Sequence, residues 1–317
     1  MDDEEAPAAS ARRPMSLETD IRIDRQSLKR RLAFWRTVAV IAFLGAFLMA
    51  SSQLWEPALG PHIARVDVSG VIVNDRERDE VLKEIAANNR IKALLVRIDS
   101  PGGTVVGGEV LYGALRRIAE KKPVVAILDT IAASGGYMVA IAADHIVARE
   151  GTITGSIGVV FQTAEITTLL KKLGIETATI KSAPLKASPS PFEKLTPDVR
   201  KATQALVHDM FELFIDMVAV RRNMPREEVR RLADGRVYTG RQALTERLVD
   251  ALGGEEEALT WLEEKRNVDS TLPIRDIALH PERLFWRKAV ESLMGKMVFS
   301  ERLTLDGLVS LWHPELP

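Results

Sequence analysis

Pro123-Val124-Val125-Ala126-Ile127-Leu128, and a few residues on Ala132-Ala133-Ser134-Gly135-Gly136, decide how this sequence is read. The first run is apolar without alternation, the pattern of a strand buried on both faces in a parallel sheet. The second is a serine among small residues on a strand-to-helix turn. Such neighbours let a foreign backbone approach the hydroxyl. The N–H groups opening the following helix would sit beside it, ready to hold a developing oxyanion. From this pentapeptide alone, a tight packing turn of any α/β protein reads equally well.

Working outward, β-rich runs alternate with helical ones. Ile63–Val68 and Ile91–Ile98 read as strands, separated by a helix over 75–88 with Val81, Leu82, Ile85 and Ala86 on one face. The second strand ends in Asp99-Ser100-Pro101-Gly102-Gly103, and a helix over about 106–120 leads to the strand at 123–128. A helix over about 135–143 and a short strand at His145–Ala148 follow the serine turn. This order predicts an α/β fold with a parallel sheet built from βαβ units. Both Gly-rich turns follow strands, so both fall on the carboxyl edge of the sheet, where sites form.

Further on, Thr154-Gly155-Ser156-Ile157-Gly158-Val159 is turn-rich, Ile166–Leu173 reads as a helix and Ala178-Thr179-Ile180 as a strand. Three prolines make Lys181–Phe192 a loop. Thr196-Pro197 starts a long helix as N-cap and first residue, with Leu206, Met210, Leu213, Phe214 and Met217 as its apolar positions. Further helices open at Met224-Pro225 and at Thr239-Gly240-Arg241-Gln242. Pro281–Val298 is amphipathic at helical spacing and suits packing on its own domain or on a neighbouring subunit.

Net charge is −1, so nothing points to nucleic acid. There is no cysteine, which removes disulfides, thiolate nucleophiles and Cys-ligated zinc. The five histidines are scattered without ligand spacing, so no metal site is expected. No charged residue occurs from Thr37 to Trp55. That length suits a single membrane-crossing helix, with Trp35 and Trp55 as interfacial aromatics. Arg22, Arg25, Lys29, Arg30, Arg31 and Arg36 precede it, which places the N-terminus in the cytoplasm and residues 56–317 across the membrane. A cleaved signal peptide ending near Ala50-Ser51-Ser52 is the competing reading.

A serine hydroxyl needs a base. His145 opens a buried strand and reads as structural; the other histidines lie in the linker, on the long helix or in the tail. A lysine can serve if burial keeps its amine neutral. Lys186 lies among Ala183-Pro184-Leu185 and Ala187-Ser188-Pro189-Ser190-Pro191, with Lys181 as competitor.

At Asp99–Gly103, Ala132–Tyr137, Thr154–Val159 and Ala233-Asp234-Gly235-Arg236-Val237-Tyr238-Thr239-Gly240, the chain resembles signal peptide peptidases of the SppA type. These form the S49 family of membrane-bound serine proteases, and the likeness covers roughly residues 60–260. It implies Ser134 as nucleophile, Lys186 as general base, Gly135 and one of Gly102 or Gly103 as oxyanion donors, and Ser156 as the residue orienting the lysine amine. It also implies a crotonase/Clp-protease-like fold, no cofactor, and peptide substrates such as released signal peptides. The chain has the half-length form of the family, which implies a dome-shaped homo-oligomeric ring whose neighbouring subunit can complete a site. The Ala183-Pro184-Leu185 run departs from relatives, which often carry Gly and an aromatic or His there. Clp proteases use a histidine downstream of the serine, and Thr154–Val159 has none.

The organisation expected is a cytoplasmic tail over 1–36, a transmembrane helix over 37–55, a peptidase domain over 60–260 and a C-terminal extension over 261–317. The enzyme is then anchored in the inner membrane with its catalytic domain periplasmic, and Tyr137, Met138 and Val159 line a pocket for apolar substrates. Three other readings compete: a general periplasmic quality-control protease, acyl-CoA chemistry of the crotonase kind, and a non-catalytic membrane scaffold. The crotonase reading needs an acidic base and cytosolic CoA, and the scaffold predicts loss of Ser134 or Lys186.

Overall fold

The computed structural model describes residues 34–44, residues 60–279 and the backbone of residues 308–311. The chain divides into two units at Leu59/Gly60. In the first, residues 34–44 form an exposed helix, α1. Among the described residues no helix is long and apolar enough to cross a membrane. Residues 45–55 of the expected span lie outside the described residues, as does the amphipathic stretch 281–298.

The second unit is α/β, built on a mostly parallel sheet. Its first half runs β1 (His62–Ile72), α2 (Arg76–Ala87), β2 (Ile91–Thr104), α3 (Val105–Ala119), β3 (Val124–Ala133), α4 (Gly135–Ala140) and β4 (His145–Ala148). β5 (Ile153–Gly155), β6 (Val160–Phe161), α5 (Thr167–Lys172), α6 (Pro197–Arg222) and α7 (Arg226–Leu232) follow. Then come β7 (Val237–Thr239), α8 (Gly240–Thr245), β8 (Ala251–Leu252), α9 (Glu255–Arg266), β9 (Ile274–Asp276) and β10 (Leu308–Leu311). β2 lies between β1 and β3, and β3 is followed by β4 and then β8, all parallel. Among the described residues, antiparallel pairing is confined to β5 with β7 and to β10 with β2 and β6.

The unbroken apolar run of β3 has a two-sided explanation. Val124, Ala126 and Leu128 enter a core shared with α3, α4 and α6, while Val125 and Ile127 enter a second core with Ala258 and Leu262 of α9. Successive side chains of a strand point to opposite faces, so a strand covered on both sides must be apolar throughout. Residue 260 therefore falls inside a helix that seals the sheet, and β9 beyond it pairs with β1.

Local signals hold at the helix starts. The side chains of Asp75, Thr104 and Thr196 each accept the N–H three residues on, and Thr239 forms a reciprocal capping box with Gln242. The strand expected at Ala178–Ile180 does not form; Ile180 is fully exposed. A β-prone triplet with no sheet edge beside it has nothing to pair with. On α6, Phe214, Ile215 and Val218 are buried, whereas Leu206 and Leu213 stay exposed in the single chain.

Candidate active site

β2 and β3 run parallel, with Ile98 opposite Leu128 and, after a register shift, Ser100 opposite Ala132. Beyond that point β3 turns sharply into α4 through Ser134, at φ 53° and ψ −116°. A serine with positive φ is an uncommon and costly backbone state that surrounding structure must hold. Here the Ser134 N–H donates to the Gly155 carbonyl at 2.8 Å, and its carbonyl accepts from the Met138 N–H at 2.9 Å. The far end of α4 is fixed by two arginines. Arg221 donates to the carbonyls of Ile141 and Ala143, both at 2.8 Å, and Arg116 to that of Ala142 at 2.8 Å. The last carbonyls of a helix lack internal partners, and guanidinium groups satisfy them. Ser134 itself is 2% exposed.

The two Gly-rich turns meet. A Cβ placed on Gly135 would lie 3.0 Å from the Gly103 nitrogen and 3.4 Å from the Gly102 Cα, so no side chain fits there without displacement. The structure also distinguishes the two β2 glycines. The Gly102 N–H donates to Ser100 Oγ at 3.1 Å, and that hydroxyl donates to the Gly70 carbonyl at 2.6 Å. Gly102 thus has its amide engaged inside its own turn. This use of Ser100 was not foreseen, though a serine before Pro-Gly-Gly is the local signal for it.

Ser156 is 8% exposed, has φ 50°, and donates its N–H to the Arg236 carbonyl at 2.8 Å. It follows directly on Gly155, the residue that holds Ser134, so Ser134 and Ser156 are carried by one backbone junction. Lys181, the competing lysine, donates to Ser188 Oγ at 2.7 Å and pairs with Glu193, whose carboxyl it holds below the usual range. Lys186 is exposed on the proline-rich loop, and among the described residues its amine has no hydrogen-bond or ion-pair partner. Ser134 is buried and Lys186 is exposed.

His145 sits opposite Val125 at the start of β3, eight residues short of Ala133. At a rise of about 3.3 Å per residue it lies roughly 25 Å from the serine turn. Its ring stacks on Trp261 at 4.7 Å, and burial lowers its pKa. Tyr137 and Met138, expected to line a substrate pocket, are fully buried in the core. The Tyr137 hydroxyl donates to the Leu248 carbonyl at 2.9 Å, and burial raises its pKa. The first turn of α4, directly after the serine, directs these next side chains inward. Val159 does line an open cleft of about 660 Å³, together with Ile157, Gly158, His208, Phe211 and Asp234.

The family model of peptidase family S49 matches residues 116–269. A Synechocystis sp. protein with a provisional protease name is 45% identical over 201 residues, covering 63% of this chain and 72% of that one. The chain belongs to peptidase family S49. An Enterococcus faecium protein provisionally named signal peptide peptidase SppA is 35% identical over 245 residues, 73% of this chain and 71% of that one. The chloroplastic serine protease SPPA of Arabidopsis thaliana is 35% identical over 190 residues, which make up 60% of this chain but 28% of that longer protein. The chain is thus an SppA-like S49 serine peptidase. Ser134, Ser156 and Lys186 fall inside the family match, while the Ser100–Gly103 turn precedes it.

Proposed function

We propose that this S49 peptidase is a membrane-anchored endopeptidase that cleaves released signal peptides and other apolar peptides through a Ser134–Lys186 dyad. The observation that carries the reading is the serine elbow: a buried serine at positive φ, packed by Gly135 against Gly103. In the reaction, the Lys186 amine takes the Ser134 hydroxyl proton as Oγ attacks the scissile carbonyl carbon. The N–H groups of Gly103 and Gly135 receive the oxyanion; Gly102, with its amide already engaged, is the weaker choice. Collapse breaks the C–N bond, and Lys186 returns the proton to the leaving amine. Water, deprotonated by the same amine, then attacks the acyl carbon, and the ammonium returns that proton to Ser134 Oγ as the Oγ–C bond breaks. Ser156 orients the lysine from the junction it shares with the elbow.

An exposed Lys186 fits a ring assembly in which the loop serves the serine of an adjacent protomer. The apolar side of the cleft at Ile157, Val159 and Phe211 suits a hydrophobic side chain of the substrate. The anchor rests on the uncharged stretch 37–55 and the bases before it, which direct the peptidase unit to the extracytoplasmic face. The mostly parallel sheet agrees with a crotonase/Clp-like superfamily.

The test uses the full chain in detergent and a quenched fluorescent apolar peptide. Ser134→Ala and Lys186→Ala should each lower kcat by about 10³-fold or more, with the melting temperature retained. Wild-type turnover in both variants sinks the dyad.

A further inference from the structure

Lys186 lies in an exposed run, residues 182–187, with half-buried Lys181 before it and half-buried Ser188 after it. The run belongs to neither helix nor strand, and its own bonds are those of turns. The Lys186 N–H donates to the Ala183 carbonyl at 3.1 Å, and the Ser188 N–H to that of Leu185 at 3.3 Å. Such bonds shape the tip without fixing where it points. The returning limb is rooted in the rest of the fold. The Ile166 N–H donates to the Pro191 carbonyl at 3.0 Å, and Thr177 Oγ1 to that of Phe192 at 3.2 Å. Lys181 fastens the outgoing limb to it. Its side chain is 13% exposed, and its amine donates to Ser188 Oγ at 2.7 Å and pairs with Glu193. An ammonium carries three donors and no acceptor, so a hydroxyl and a carboxylate suit it.

We propose that Lys181 is a positioning residue of the peptidase: its ammonium, clasped between Ser188 and Glu193, closes the loop at its root and sets where the Lys186 amine can reach. The inference rests on the Ser134–Lys186 dyad. Ser188 follows Lys181 by seven residues, and Lys186 lies two before it on the same arc. With both ends of that arc held together, its tip samples few directions. With the clasp opened, the exposed run swings from the returning limb alone. Proton transfer needs the amine near hydrogen-bond distance of the serine hydroxyl, and a misplacement of about 1 Å costs on the order of 10²-fold in rate. Lys181 thus acts on the reaction through Lys186.

The test uses the full chain in detergent and the quenched apolar peptide. Lys181→Met keeps an unbranched side chain and removes its donors. It should lower kcat about 10²-fold and leave KM within about twofold of the parent's, with the melting temperature retained. Lys181→Arg should restore kcat to within about fivefold of the parent, because a guanidinium donates to both partners yet keeps its proton. That restoration separates positioning from the rival role, Lys181 as the base itself, which an arginine cannot fill. Glu193→Gln guards against a single misfolded variant and should also lower kcat. Combined with Lys181→Met, it should cost little more than Lys181→Met alone, since both remove one contact. Unchanged kcat in Lys181→Met and Glu193→Gln overturns the proposal, and so does an arginine variant as slow as the methionine one. A readout independent of turnover places Lys181→Met on Ser134→Ala and follows hydrogen exchange over residues 182–190, which should quicken about fivefold. If Lys186→Ala keeps wild-type turnover, the dyad reading fails. Exchange then decides the clasp alone: faster exchange upholds it and unchanged exchange overturns it.

Discussion

Ser134 is held at φ 53° by an N–H bond to Gly155 on one side and by the first turn of α4 on the other. A backbone state of this kind costs on the order of 1–3 kcal/mol, and its persistence in a packed core points to use. Its neighbour Gly135 gives the sharpest test at this scale. A methyl group there would sit 3.0 Å from the Gly103 nitrogen, so the two glycine backbones must part by a few tenths of an ångström. Gly135→Ala is therefore expected to lower kcat by about 10²-fold through misplaced donors, with little change in KM and a melting temperature close to the parent's. Steady-state kinetics decide it: an unchanged kcat would show that this close approach takes no part in the reaction. The glycines were legible as small residues on one sheet edge. That Gly102 spends its amide on Ser100 was not, because that bond depends on the turn's conformation and on Gly70, thirty residues earlier.

At the level of elements, β3 and α4 form one rigid arm with the serine at its bend. The arm is anchored at the carboxyl end of α4 by Arg116 and Arg221, and at the start of β3 by the neighbouring β4. His145 opens β4, stacked on Trp261 of α9 with Asp250 at 3.8 Å. Burial is the largest influence on its ring and lowers the pKa, opposed by Asp250. The folded protein thus binds fewer protons here than the unfolded chain. Stability from this site is present above the unfolded value of about 6.5 and is lost as pH falls through the lower folded value. Thermal melts from pH 7 to pH 5 should show a steeper loss for the parent than for His145→Gln; parallel curves would exclude His145 as the source. The sequence marked this histidine as structural because it begins an apolar strand, and its stacking partner more than a hundred residues away supplies the reason.

At the scale of the whole molecule, the proposed dyad has to bring a buried serine to an exposed lysine. Lys181 is tied to Glu193 and Ser188, which leaves Lys186 as the uncommitted amine of the loop. In the ring proposed for this peptidase, the missing cover is a second subunit. Mixed assemblies test this directly. Ser134→Ala and Lys186→Ala subunits, each inactive alone, should regain activity when refolded together, since random mixing leaves about one site in four with both groups. Activity that stays at the level of the single variants would place the dyad within one chain and require the loop to move.

The sequence by itself determined the sheet, the elbow and the helix starts, because these follow from periodicity, chain stiffness and hydrogen bonds spanning a few residues. The run Val124–Leu128, the Ser134 turn and the Thr196-Pro197 cap are all of this kind. Tertiary structure alone decided what lies beside them. It withheld a strand from Ala178–Ile180, sent Tyr137 and Met138 into the core, and bound Lys181 to Glu193. It also laid Leu308–Leu311 between β2 and β6. Each of these depends on a partner distant in sequence or on the lack of one, and no local pattern encodes which edge a strand will find.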